Sequence, residues 1–336
     1  MNLYSKAGVD INAAQDFKSK IPSIISPSRR PEVIGNIGGF GGLFSAFFPH
    51  LRHPVLVSSI DGVGTKLIVG QMANRLESLG EDLVNHCVND IGSLGADPLF
   101  FLDYIGCGKL DSSRFLPILQ GMAKACQKAG CALLGGETAQ MPGLYKEKDF
   151  DLVGAIVGVV DKENIIDGKT IRANDLIIGL PSSGLHTNGY SLVRKLLFEQ
   201  NRFDLWDIPQ GLNRPLAEEL LEVHKSYLKE IQLLRGLLPI KGIAHITGGG
   251  FLENIPRILP HDVDAIIYTN RWPIPALFSF LTKLGSLSIE ERYTVFNMGI
   301  GLCLVIAPEY KEQCLKHIDG YLIGNIIPGN GKVHLQ

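Results

Sequence analysis

The stretch at residues 55–66, V-L-V-S-S-I-D-G-V-G-T-K, constrains the fold most. Its first six residues are apolar and rich in β-branched side chains, which reads as a strand. It breaks at Asp61-Gly62, places a second glycine at Gly64 and ends in Thr65-Lys66. A strand that runs into a glycine-broken loop bearing a carboxylate, a hydroxyl and an ammonium suits an anion. Glycines let backbone N–H groups approach closely, a carboxylate can hold a hard cation, and lysine can meet phosphate oxygens. Asp-Gly is equally a common turn dipeptide, so the stretch alone leaves both readings open.

The same transition recurs along the chain. Residues 35–42, G-N-I-G-G-F-G-G, hold five glycines in eight positions, too many for a helix or strand interior. They read as a loop over phosphates or as a plain surface loop. Residues 131–134 form a short apolar strand that runs into G-G-E-T-A-Q-M-P-G, with Glu137 beside Thr138. Residues 176–180 lead into P-S-S-G-L-H-T-N-G, and residues 243–246 lead into T-G-G-G just after His245. The serine-rich loop suits a phosphate or sugar, or simply caps the helix that follows through Thr187 and Asn188.

Helical periodicity and stop signals predict helices over 81–94, 112–129, 190–200, 214–238, 274–284 and 309–317. The 214–238 helix has one expected break, near Gly236. Further strands are expected at 99–105, 151–160, 264–268, 302–307 and 320–327. Both halves mix strands with helices, so the fold class is α/β (α+β). The polar segment 161–173 separates two apolar strands and marks a boundary, giving domains at 1–168 and 169–336.

Bulk properties narrow the function classes. The 336 residues are 45% hydrophobic and 20% charged, with a net charge of −2. That balance favours neither nucleic acid nor an anionic membrane surface as partner. No apolar run reaches membrane-spanning length, and the N-terminal residues lack the hydrophobic core of a leader. The six cysteines form no C-x-x-C and read as reduced thiols, consistent with a cytoplasmic protein.

Three separate segments each supply an acid: Asp61, Asp90 and Glu137. Asp90 falls late in a largely apolar helix, where an unpaired buried charge is costly; a metal or the i, i+4 partner His86 would each remove that cost. Oxygen-only ligands select Mg²⁺ over zinc. The set fits a magnesium–nucleotide site in the first half, with the Ser182–Asn188 loop serving a second substrate. A P-loop, a Rossmann fingerprint and a nucleophile elbow are all missing from the sequence.

Read together, R-R-P-E-V-I-G-N-I-G-G-F-G-G, S-I-D-G-V-G-T-K, C-V-N-D-I, F-F-L-D-Y, G-G-E-T-A-Q-M-P-G, S-S-G-L-H-T-N-G-Y-S-L-V-R, H-I-T-G-G-G and F-N-M-G-I-G closely resemble the phosphoribosylformylglycinamidine cyclo-ligase (aminoimidazole ribonucleotide synthetase) family. The likeness runs in unbroken order from about Tyr4 to Ile323. It implies two α/β domains and a homodimer whose first domains pair through their sheets. It implies ATP-dependent closure of the imidazole ring of formylglycinamidine ribonucleotide, with ADP and phosphate released. Asp61, Asp90 and Glu137 match the acidic metal ligands of the superfamily, whereas His245 stands where some relatives carry another aspartate. On this resemblance ATP is expected at Gly38, Gly39, Phe40, Gly41, Gly42, Asp61, Gly62, Gly64, Thr65, Lys66 and Asp90. The ribonucleotide is expected at Ser182, Ser183, His186 and Asn188, with Lys66 and His186 as catalytic groups. The last residues, I-I-P-G-N-G-K-V-H-L-Q, fit the family less well and read as a variable tail. A selenophosphate synthetase would usually carry a reactive cysteine near the N-terminus, and the first here is Cys87; a silent nucleotide-binding scaffold is the rival from another class.

Overall fold

The computed structural model describes residues 11–36 and 38–336. The N-terminal residues on which the leader reading rests, and Ile37 of the first glycine cluster, lie outside that description. The chain divides into two compact units, Met1–Ile91 with Ala96–Glu163, and Gly92–Gly95 with Asn164–Gln336.

The first unit is built on a four-stranded sheet ordered β3-β6-β4-β5. A short hairpin, β1 (Val33–Ile34) and β2 (Leu43–Phe44), precedes it and carries the first glycine cluster at its tip. The sheet strands are β3 (Pro54–Gly62), β4 (Asp97–Cys107), β5 (Ala132–Gln140) and β6 (Phe150–Asp161). Only the β4–β5 pair is parallel. Helix α1 (Ile11–Ile25) is followed by α2 (Lys66–Ala73), α3 (Glu77–Gly92) and α4 (Ser112–Lys128). Helices α3 and α4 cross almost backbone to backbone. A Cβ on Gly80 would lie 2.0 Å from the Ile118 carbonyl oxygen, and one on Gly121 2.0 Å from that of Glu77. Leu83 and Ile91 of α3 press onto Gly154 and Gly158 of β6, so this helix layer covers one face of the sheet. Along β3 exposure alternates residue by residue, as a strand with one wet face requires.

Two sequence expectations change here. Asp61-Gly62 belongs to the end of β3, and the turn falls at the following residues. The strand expected to stop at Leu134 continues through Gly135-Gly136 to Gln140. The reason lies across the sheet: the Asp103 side chain folds over Gly136, where a Cβ would meet its Oδ1 at 2.2 Å.

The second unit is a six-stranded sheet ordered β12-β9-β11-β7-β10-β8. Its strands are β7 (Leu176–Pro181), β8 (Gly242–His245), β9 (Val263–Ile267), β10 (Ile300–Ile306), β11 (Tyr321–Pro328) and β12 (Val333–Leu335). Every residue of β10, I-G-L-C-L-V-I, is buried, which is why it reads as an unbroken apolar run. Its core includes Ile178, Leu180, Tyr227, Ile231, Leu302 and Leu304. The C-terminal tail is part of this sheet, with β12 parallel to β9.

The helices of this unit are α5 (Tyr190–Arg194, continued as a π-turn to Gln200), α6 (Leu216–Leu220), α7 (Leu228–Arg235), α8 (Gly250–Asn254), α9 (Ala276–Gly285), α10 (Ile289–Val295) and α11 (Lys311–His317). The helix expected over 214–238 is therefore two helices with a break at 221–227. Side chains from elsewhere take the carbonyls at that break: Tyr190 Oη donates to Leu220 O, and Ser183 Oγ donates to Val223 O.

Candidate active site

In the first unit the acids converge at the end of β3. His86 of α3 is buried, and its Nε2 lies 2.9 Å from Asp61 Oδ2 and 3.9 Å from Asp90 Oδ2. Ser59, two residues before Asp61 and on the same strand face, donates to Asp90 Oδ2 at 2.8 Å. The Gly62 N–H donates to Asp61 Oδ1 at 2.6 Å. Two carboxylates thus reach one nitrogen, and their side chains keep 42% and 26% of their surface exposed. Burial alone would raise the Asp61 pKa; the hydrogen bond and charge of His86, with the Gly62 amide, bring it below the ordinary value. Burial likewise works against the charged His86, but the Asp61 hydrogen bond and the Asp90, Asp61 and Asp82 charges leave its pKa raised.

Lys66 is placed elsewhere than its sequence role requires. Gly64, at φ +64, turns the chain into α2, where Thr65 is the N-cap and Lys66 the first residue. The Lys66 side chain is wholly buried and its Nζ lies 2.8 Å from Asp82 Oδ2 and 2.9 Å from Asp82 Oδ1. An ammonium with no exposed surface, held by a buried carboxylate, does not reach a phosphate in this structure.

Glu137 is not brought to Asp61 and Asp90 within the chain. Cross-strand partners share a sheet face. Asp61 pairs with Gly154, Gly154 with Asp103, and Asp103 with Gly136, so Asp61 and Asp103 share the helix-covered face. Glu137 pairs with Tyr104 and stands exposed on the other face. The acid in that row is Asp103, which sequence reasoning left as the end of a strand. Burial pushes its pKa up to about 7, with the charge of Glu137 adding to the effect. The Gly38–Gly42 segment is exposed at the hairpin tip, with Gly38 at φ +107 and the Phe40 ring fully in solvent.

The second unit builds a polar loop at the end of β7. Ser182 Oγ donates to Asn297 Oδ1 at 3.0 Å, and Asn297 Nδ2 donates to the Gly184 carbonyl at 2.8 Å. The Ser183 N–H donates to His186 Nε2 at 3.3 Å. His186 is buried at φ +59, a conformation that costs a non-glycine residue on the order of 1–3 kcal/mol. Helix α5 begins at Gly189 without a side-chain cap, so Thr187 and Asn188 do not serve as its cap. Thr187 Oγ1 instead meets His224 Nδ1 at 3.4 Å, and Asn188 Nδ2 is buried without a hydrogen-bond partner.

His224 is the main functional residue the sequence reading missed. It stacks on His186 with ring centroids 4.0 Å apart, and its Nε2 lies 3.1 Å from His245 Nε2. Ring nitrogens of all three histidines lie within 4.8 Å of one another. The His186 and His224 planes differ by only 17°, so two near-parallel rings 4 Å apart cannot both aim an in-plane lone pair at one ion. The cluster is a stacked, hydrogen-bonded row rather than a tetrahedral metal centre. Gly301 makes room for it, since a Cβ there would lie 2.5 Å from His186 Cε1 and 2.2 Å from Tyr227 Oη. Asn254 is a second omission: its Nδ2 donates to the carbonyls of Thr247, Gly248 and Gly250 and pins the T-G-G-G loop.

An acid cluster at a strand end thus stands in one α/β unit, and a serine–histidine–asparagine loop in the second. The family described as AIR synthase related protein, N-terminal domain, matches residues 50–160, and its C-terminal domain matches residues 172–335. Phosphoribosylformylglycinamidine cyclo-ligase of Geobacillus thermodenitrificans is 49% identical over 333 residues, covering 98% of this chain and 96% of that one. The protein of the same name from Geobacter sulfurreducens is 47% identical over 340 residues, covering 99% and 98%. The chain belongs to the phosphoribosylformylglycinamidine cyclo-ligase family. Among solved structures, thiamine-monophosphate kinase from Stenotrophomonas maltophilia superposes with a TM-score of 0.70 at 18% identity, covering 95% of this chain and 96% of that one. Escherichia coli HypE superposes with a TM-score of 0.70 at 16% identity, covering 96% and 93%, and shares the fold.

Proposed function

We propose that this chain closes the imidazole ring of formylglycinamidine ribonucleotide at the expense of ATP, giving aminoimidazole ribonucleotide, ADP and phosphate in purine biosynthesis. Family membership over nearly the whole chain supports the reaction. Within the structure, the observation that carries the site is the convergence of Asp61 and Asp90 on one nitrogen at the end of β3.

The formyl amide oxygen attacks the γ-phosphorus of ATP, and the bond to the ADP oxygen breaks. The resulting imino-phosphate carries a good leaving group. The amidine nitrogen then attacks the activated carbon, phosphate departs, and loss of a proton leaves the aromatic ring. Charge neutralisation and positioning supply most of the catalysis in such transfers. Asp61 and Asp90 would hold Mg²⁺, since both are oxygen donors with open edges and they already converge. The metal would neutralise phosphate charge when bound. Glu137, alone on the other sheet face, is assigned to the same acidic set only through the family pattern. The Gly38–Gly42 amides and the Gly62–Thr65 turn receive phosphate oxygens in this reading. Lys66 acts from behind as a positioning residue: it anchors α2 to α3 through Asp82 and so fixes the turn between Asp61 and His86.

Ser182, Ser183, His186 and Asn188 orient the ribonucleotide, and the buried Asn188 amide is the donor best placed to gain a bond from it. His186 takes the proton released on ring closure, its ring held in place by stacking on His224. The protein works in the cytoplasm as a homodimer paired through the open faces of the first-unit sheets. Among the described residues no helix is long and apolar enough to cross a membrane.

An ADP-release assay with Mg-ATP and formylglycinamidine ribonucleotide tests the reading directly. One aminoimidazole ribonucleotide is expected per ADP, only when both substrates are present. Asp61→Asn is expected to lower kcat by about a hundredfold or more. Turnover without the amidine substrate, or an Asp61→Asn enzyme as active as the parent, defeats the assignment.

A further inference from the structure

The second unit contains a cavity of about 270 Å³ that none of the residues assigned above lines. It opens between α9 and α10. Ser279, Thr282 and Lys283 come from α9, Arg292 and Tyr293 from α10, and Thr269 from the segment after β9. The lining offers two cations and three aliphatic hydroxyls, and no carboxylate.

Two of its polar atoms are buried without a hydrogen-bond partner: Thr282 Oγ1 and Arg292 Nε. Both atoms are shut off from solvent, so they form a packed polar wall behind the cavity, and the groups open to a ligand are the other cationic and hydroxyl atoms of the lining. Neither Lys283 nor Arg292 has a carboxylate within 4 Å among the described residues. The nearest acid along α10, Glu291, is already spent: its side chain accepts the Ser288 N–H in the capping box that starts the helix. Arg292 lies 5.8 Å from the Tyr293 ring centroid, which steadies the guanidinium and leaves its N–H fork for a ligand. Thr269 Oγ1 donates to the Gln336 carbonyl, so it brings an oxygen already oriented by the C-terminus.

Cations with hydroxyls and no acid select an anion. A planar guanidinium beside an ammonium matches the oxygens of a phosphate group. Size restricts the ligand further. Ordinary small-molecule sites occupy roughly 300–1,000 Å³, and this cavity falls just below that range. We propose that it is a separate binding site for a small phosphate-bearing anion, no larger than a pentose phosphate. The wall opposite α10 includes Met298, whose carbonyl accepts the Trp272 Nε1–H at 2.9 Å. The next residue back, Asn297, holds Ser182, so cavity and substrate loop share one backbone stretch without sharing a side chain.

Calorimetric titration of the full chain with inorganic phosphate, and separately with ribose 5-phosphate, tests the site. Because the catalytic loop is itself assigned to a phosphorylated substrate, Ser182→Ala is the control. Lys283→Gln and Arg292→Gln are each expected to weaken binding at least tenfold, while Ser182→Ala leaves that binding unchanged. Lys283 is exposed, so Lys283→Gln should melt with the parent and report on binding alone. Whichever ligand binds tighter identifies the source of the phosphate. Unchanged affinity in Lys283→Gln, loss confined to Ser182→Ala, or no binding of either ligand by the parent would overturn the proposal.

Discussion

The buried Lys66–Asp82 pair shows how one residue type serves two roles. As part of D-G-V-G-T-K it reads as a phosphate ligand, since nothing local to the motif says where a four-carbon stem will point. The structure turns it inward because α2 starts at Lys66 itself, and the first turn of α2 faces α3. A buried ion pair is weak as a net stabiliser, but removing one partner strands a charge. Lys66→Ala is therefore expected to cost about 3–5 kcal/mol, read as a shift of the urea midpoint. Replacing both, Lys66→Met with Asp82→Leu, should cost less than Lys66→Ala alone. If Lys66 instead contacts phosphate during turnover, the double variant would be stable yet lose binding of ATP, which equilibrium dialysis would detect.

Among the elements, β12 was the least expected, because the tail departs from the family pattern and carries few apolar residues. Asp264 of β9 secures it. The carboxylate pairs with His334 at 2.7 Å and accepts the N–H groups of Asn330 and Lys332 at 2.6 and 2.8 Å. The His334 hydrogen bond, followed by those two amides, lowers the Asp264 pKa to about 2. A carboxylate whose folded pKa is depressed contributes stability above its unfolded value, near 4, and loses it as pH falls toward 2. The melting-temperature gap between the parent and Asp264→Asn should thus be full at pH 5 and shrink between pH 4 and 2. A gap independent of pH would mean that Asp264 acts by packing alone. Strands such as β6 and β10 were legible because apolar, β-branched runs describe them without help. The break at 221–227 was not, because E-V-H-K-S-Y contains no glycine or proline. It exists because Ser183 and Tyr190, 40 and 30 residues away from their partners, take carbonyls there. His224 was missed for the same reason. The side of the sheet on which Glu137 falls depends on its register with β4, which no local pattern encodes; the His86–Asp90 pair was legible from its i, i+4 spacing, whereas the contact of His86 with Asp61 comes from the packing of α3 against β3.

At the scale of the whole molecule, the first unit leaves a question that its own fold does not answer. Helices α3 and α4 cover one face of its sheet, while Leu56, Ile60 and Leu102 stand 62%, 70% and 38% exposed on the other. Ile60 pairs with Ala155 and Ala155 with Leu102, so those two share one row across three strands, and Leu56 lies further back along the same face of β3. Contiguous apolar surface of this kind marks an interaction site in a soluble protein. The open face carries Ser58 and Glu137 beside these apolar residues, and a two-fold pairing would bury the same patch on both copies. A stable dimer needs about 1,200–2,000 Å² of total buried surface, which a four-stranded face can supply together with neighbouring loops. Ile60→Asp places a charge within that apolar patch on a residue already exposed in the single chain, so it should not disturb the fold of the unit. Sedimentation velocity is expected to show the parent as a dimer and Ile60→Asp as a monomer, with unchanged far-ultraviolet circular dichroism. A parent that sediments as a monomer, or a variant that remains dimeric, would move the interface to another surface.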